Sequence, residues 1–140
     1  MIKGTTTSFT FKVPYPFNEI TKIVAVFDQK HNDGTTEAPL PITKVYNVLS
    51  DPPRNDGFAA SDENDTEIYT VLTPHETMRF SEKEKGYAQI QVLYEDRNVT
   101  VASKQNKFTV YPVMNDEVID DFDPSERPAD DVYVFDAGRV

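Results

Sequence analysis

Apolar and polar residues alternate along much of this chain with a period of two, the signature of half-buried β-strands. Phe9, Phe11 and Val13 interleave with Ser8, Thr10 and Lys12, which predicts a first strand over 8–13. Pro14 and Pro16 end it, because proline has no N–H to give to a ladder. A second strand is predicted over 20–28, where Ile23, Val24, Ala25, Val26 and Phe27 form a continuous apolar run. The His-Asn-Asp-Gly stretch at 31–34 suits a turn with positive φ. Residues 42–49 alternate again, with Ile42, Lys44, Tyr46 and Val48 on one face and Val45 and Leu49 on the other.

Residues 50–67 form a long polar stretch, expected to be the least ordered part of the body. A short strand follows at 68–72. Thr73-Pro74-His75-Glu76 then reads as a capping box, with Thr73 as N-cap, Pro74 in the first turn and Glu76 reaching back. One helical turn leads to Phe80, expected to cover an end of the core. Tyr87, Gln89, Gln91 and Leu93 alternate with Ala88, Ile90, Val92 and Tyr94, the clearest strand of the chain. A hairpin turn at 95–98 leads to a strand at 99–102, and on through 104–107 to the apolar stretch 108–113. Phe9, Phe11, Ile23, Val26, Ile90, Val92 and Phe108 are the expected core.

Short strands at even spacing predict an all-β fold: an antiparallel, Ig-like β-sandwich with one short helical turn. The strand signal stops after Met114. The sequence thus divides into a β-sandwich domain over 1–114 and an acidic extended arm over 115–140. Within the arm, Val132, Tyr133, Val134 and Phe135 form an aromatic and β-branched island. It has the composition of a strand that adds to a sheet edge or fills an aromatic pocket, and these four are the candidate partner-binding residues.

Composition narrows the function classes. The chain has 140 residues, 38% of them hydrophobic, with ten prolines. That fits one domain with a modest core, to which nine Phe and seven Tyr bring large buried areas. There is no cysteine, so disulfides and thiolate metal sites are excluded. The net charge of −10 is uneven: residues 115–140 hold nine acids against two Arg, a net −7, which leaves −3 for the body. Such a chain repels phosphate backbones, so no nucleic-acid partner is expected. No apolar run spans a bilayer, and no membrane partner is expected. With a strand beginning about eight residues in, no leader peptide is expected. The tail reads either as a solvated end or as an arm that docks on a partner.

No constellation for catalysis stands out. His31 and His75 fall in a predicted turn and a cap, without ligand spacing. The acidic run 62–67 fails the EF-hand pattern because Glu67 stands where glycine is needed. There is no Trp, no Gly-x-Ser-x-Gly elbow and no phosphate-cradling glycine loop. No cofactor is expected. Asn64-Asp-Thr66 and Asn98-Val-Thr100 match the glycosylation sequon, a triplet that also arises by chance.

The opening Ile2-Lys3-Gly4-Thr5-Thr6-Thr7-Ser8-Phe9-Thr10-Phe11-Lys12-Val13-Pro14 resembles that of small β-rich structural proteins of tailed bacteriophages and prophages of gut bacteria. Those begin Ile-Arg-Gly-Thr-Thr-Pro-Thr and continue into an alternating Phe-Thr strand ending in Pro-Phe. Here Thr7-Ser8 replaces Pro-Thr, and Tyr15 precedes Pro16-Phe17. The likeness extends through residues 20–27, through 71–80 (Val-Leu-Thr-Pro-His-Glu-Thr-Met-Arg-Phe), and through 88–94 and 101–103. The stretch 33–67 is longer than in that family, and the acidic tail is a departure from it.

The resemblance implies a non-enzymatic virion component, an accessory part of the neck, tail or capsid surface. It would be made in a bacterial cytoplasm and assembled with other virion proteins in several symmetric copies. The alternative reading is a receptor- or carbohydrate-binding adhesin that uses the 50–67 loop. Tyr69, Tyr87 and Tyr94 would then be either ligand platforms or core and edge packing.

Overall fold

The computed structural model describes residues 1–29 and 40–112 in full, and the backbone of 132–136. Its strands in chain order are β1 (Thr7–Lys12), β2 (Lys22–Gln29), β3 (Ile42–Asn47), β4 (Arg54–Asn55), β5 (Glu67–Leu72), β6 (Gly86–Tyr94), β7 (Val99–Ala102), β8 (Asn106–Phe108) and β9 (Val132–Asp136). One four-residue helix, α1 (Pro74–Thr77), follows β5.

The strands form two sheets. The smaller has the order β5-β1-β9, and the larger runs β4-β3-β2-β6-β7. β7 pairs with the last residues of β6 and β8 with the first, so these two short strands share one edge. All pairings between these strands are antiparallel except β1–β9, which is parallel. The fold is therefore the expected all-β sandwich with one short helix.

Aromatic rings join the sheets. Phe9 of β1 lies 4.8 Å from the Phe27 ring of β2 and 5.2 Å from Phe108 of β8, centroid to centroid. Phe80 closes the cluster 5.7 Å from Phe108, covering the end of the core as its position suggested. Around these rings Phe11, Ile23, Ile68, Leu72, Ile90 and Val92 are fully buried. Gly86 faces the Phe108 ring so closely that a Cβ there would overlap it.

Of the expected core, Val26 is misplaced. Ile23, Ala25 and Phe27 face inward, which puts Val24 and Val26 half-buried on the outer face. A run of five apolar residues carries no phase, so the sequence alone left the inward face open. β3 also stops earlier than expected. Asn47 Oδ1 accepts the Leu49 N–H at 2.9 Å, an Asx turn that ends the strand and leaves Val48 and Leu49 exposed. Of the described residues from 104 to 112, β8 holds the strand, and Tyr111 beyond it bridges to Ile2.

The stretch 50–67 is not loosely ordered. β4 pairs with β3, and Asp56 accepts the Val45 N–H at 2.9 Å. Asn55 Oδ1 accepts from Gly57 N and Phe58 N, which turns the chain so that Phe58 enters the core. Ala59 and Tyr69 exchange two backbone hydrogen bonds, and the carbonyls of Glu63, Asp65 and Thr66 accept from Asn18, Phe17 and Val13. These backbone and side-chain hydrogen bonds hold the loop to the body.

The capping box is present. Glu76 N donates to Thr73 Oγ1 at 3.3 Å and Thr73 N donates to Glu76 Oε1 at 3.0 Å. The expected hairpin at 95–98 is a 3-10 turn, closed by Asn98 in the left-handed region at φ 54°. The turn at 31–34, the domain boundary at 114 and residues 115–131 of the expected arm lie outside the described residues.

Phe9→Ala removes the ring that bridges both sheets and is expected to cost about 3–5 kcal/mol. Val26→Ala, on the outer face, is expected to cost less than about 1 kcal/mol. Urea unfolding of the two variants against the parent chain checks both values.

Candidate functional site

The feature with most bearing on function is the edge of the three-stranded sheet where β9 meets β1. β1 forms as a strand because Phe9 and Phe11 need one face buried while Thr7, Ser8 and Thr10 favour extended backbone. Its far side is zipped to β5 in register from Thr7↔Leu72 to Lys12↔Glu67. Its near side takes β9 in parallel, from Ser8↔Val132 to Lys12↔Asp136. The four residues singled out in the sequence, Val132, Tyr133, Val134 and Phe135, thus lie on a sheet edge of their own chain. β9 has no other strand partner among the described residues.

Both faces of β1 are covered. Phe9 and Phe11 point into the sandwich, while Ser8 and Thr10 on the opposite face are at most 3% exposed. Val71 of β5 lies beside Ser8 and is also fully buried. Three hydroxyls in this region, on Thr7, Ser8 and Thr70, are buried without a hydrogen-bond partner. Such orphaned groups cost folding free energy, a cost that the two neighbouring strands and the aromatic face of β1 offset.

The N-terminal residues and α1 brace the start of this strand. Thr77 Oγ1 donates to the Thr5 carbonyl at 2.9 Å and accepts the Gly4 N–H at 3.0 Å. Gly4 adopts φ 77°, a left-handed turn that glycine takes without strain. Lys44, buried in β3, reaches Glu76 of α1 at 2.8 Å, so the larger sheet is tied to the same cap.

At the opposite end of the sandwich, Tyr94 is fully buried and its hydroxyl donates to the Tyr15 carbonyl at 3.0 Å. Arg97 lies 3.9 Å over the Tyr15 ring and binds Glu19 at 2.7 Å. Burial pushes the Tyr94 hydroxyl up to about 12. The hydrogen bond and charge of Arg97 hold the Glu19 carboxyl below its usual value. This cluster is a structural clamp, and Tyr94 is core packing rather than a ligand platform.

Tyr69 and Tyr87 are half-buried. Tyr87 lines an open groove of about 400 Å3 together with Asp28, Gln29, Gln105 and Lys107. The amide of Gln29 is committed elsewhere, to the carbonyls of Ser81 and Glu84. His75 sits in α1, and His31 lies outside the described residues. Among the described residues no cluster of acids and histidines is arranged to hold a metal ion. No helix among them is long and apolar enough to cross a membrane.

Comparison with protein-family models and with curated protein sequences finds no match. What the sequence missed here is the seat of β9. The island at 132–135 was legible from β-branched and aromatic composition, but parallel pairing with a strand 124 positions away leaves no local signal.

Two outcomes follow. Thr70→Val replaces an orphaned hydroxyl by a methyl of similar shape and is expected to raise stability by about 1 kcal/mol in urea unfolding. The Tyr94 hydroxyl ionises near 10 when unfolded and near 12 when folded, so its contribution is whole below pH 10 and fades as pH rises from 10 to 12. Tyr94→Phe should therefore be about 1 kcal/mol less stable at pH 8. That deficit should shrink at pH 11.5, as denaturant melts at the two pH values will show.

Proposed function

We propose that this chain is a non-enzymatic structural protein of a tailed-phage virion. In this reading it is an accessory component of the neck, tail or capsid surface that joins neighbouring virion proteins. The observation that carries the reading is the edge of β1, which takes up a strand distant in sequence through backbone pairing. Strand addition of this kind is a general means of joining chains, since main-chain hydrogen bonds give affinity and alternate side chains give register. The resemblance of the opening and of three later blocks to small phage β proteins supplies the setting. The sandwich over 1–114, read as Ig-like, would be the body presented in several copies, with 115–140 as the linking arm.

The groove beside Tyr87 favours a second reading, a carbohydrate-binding adhesin. An aromatic ring flanked by Asp28, Gln105 and Lys107 offers a stacking surface with polar groups for sugar hydroxyls. In that reading the binding surface moves from the 50–67 loop, which is bonded to the body, to the outer end of β6 and β8.

The structural reading expects the chain to co-purify with particles at fixed stoichiometry. It also expects a chain truncated after Met114 to lose incorporation. Quantitative mass spectrometry of purified particles measures both. Absence from particles, together with binding of the isolated chain to a glycan array that Tyr87→Ala abolishes, would replace it with the adhesin reading.

A further inference from the structure

We propose that β9 is an exchangeable strand: in an assembly, the β1 edge of one copy takes β9 from a neighbouring copy. The partner is thus a second copy of this chain. The inference deepens the assembly reading and rests on it for its setting, but its geometry stands on the isolated protein.

Three observations carry it. First, β9 belongs to the sandwich through β1 alone among the described strands. Removing it breaks one ladder and leaves every pairing of the larger sheet and of β1 with β5 in place. Second, the ladder is specified by backbone register, Ser8↔Val132 through Lys12↔Asp136. Every copy offers the same edge and the same strand, so exchange gains and loses no contact at the ladder. Third, the sequence from 113 to 131 that leads to β9 has 19 residues with eight acids against one arginine.

A chain of that length has a root-mean-square span of about 25 Å if it behaves as a coil. It reaches at most about 63 Å. A domain of about 100 residues has a radius of gyration of about 13 Å, so the longest reach exceeds the width of one such domain. Closure within one chain corresponds to an effective concentration in the millimolar range. Exchange therefore competes where copies are crowded at similar concentration, as on a particle, and yields to self-closure in dilute solution.

The absence of cysteine allows a direct test on the full chain. Thr10 and Val134 are register partners. One preparation carries Thr10→Cys, a second carries Val134→Cys, and a third carries both. The first two are mixed at roughly millimolar chain, unfolded in urea, refolded together and oxidised. A disulfide-linked heterodimer that forms in the mixture is expected. It should not form when Asp96→Cys replaces Thr10→Cys, and it should weaken on dilution. The double variant measures the seat itself.

If the double variant links within one chain and the mixture gives no heterodimer, β9 does not exchange and the proposal is overturned. If neither links, β9 does not seat on β1 and the proposal fails equally. Ser8→Cys with Val132→Cys, two register positions away, repeats the test should either first variant lose its folded circular dichroism. Exchange found in a chain absent from particles would leave this inference standing and remove the virion reading. Particle incorporation without exchange would do the reverse.

Discussion

The contact of the Phe9 ring with Phe27 and Phe108 is the constraint on which the rest of the molecule depends. It is the point where β1, β2 and β8 meet, and so where the smaller sheet is locked onto the larger. The smaller sheet has three strands, and the hydrophobic face that stabilises it is buried against the larger one. Its stability is borrowed through this ring and through Phe11, Ile68 and Leu72, which are buried against the same cluster. Three hydroxyls on β1 and β5 without partners add nothing to offset the cost of their burial, so the aromatic contact has to carry that cost as well.

The larger sheet solves a different problem, that of its edge. β6 spans nine residues, longer than any one neighbour on its outer side. Ser103 divides that side: its N–H donates to the Ile90 carbonyl at 2.9 Å and its Oγ accepts the Ile90 N–H at 3.1 Å. A side chain thereby takes the place of a backbone carbonyl at the break between β7 and β8, and no buried group of Ile90 is left unpaired. Short, offset edge strands of this kind offer little continuous ladder to a passing chain. β4, of two residues, closes the other side in the same way.

Much of the fold was legible in the sequence because its signals are local. Alternation located β1 and β6, the Thr73–Glu76 box located α1, and the polar run at 95–98 located a turn that Asn98 closes. Signals that depend on distant partners were not legible. Val24 and Val26 have the same chemistry as Ile23 and Ala25, and only the pairing of β2 with β3 and β6 decides which pair faces Phe9. Residues 50–67 look loose because they are polar. Yet Asp56 finds its partner on β3, and the carbonyls of Glu63, Asp65 and Thr66 find theirs on the 13–18 segment, far away in the sequence. The candidate site divides the same way. The composition of 132–135 announces a strand, whereas the β1 edge that receives it is set by folding.

The parallel pairing of β1 with β9 has a temporal side. Ser8 leaves the ribosome 124 residues before Val132, its partner in the ladder. At about 5–20 residues per second, that is an interval of roughly 6–25 s. β5 can close one side of β1 earlier, but the other side stays open throughout, a bare ladder rich in Phe and Thr. The order of synthesis therefore leaves the β1 edge without its partner strand until the chain is almost complete.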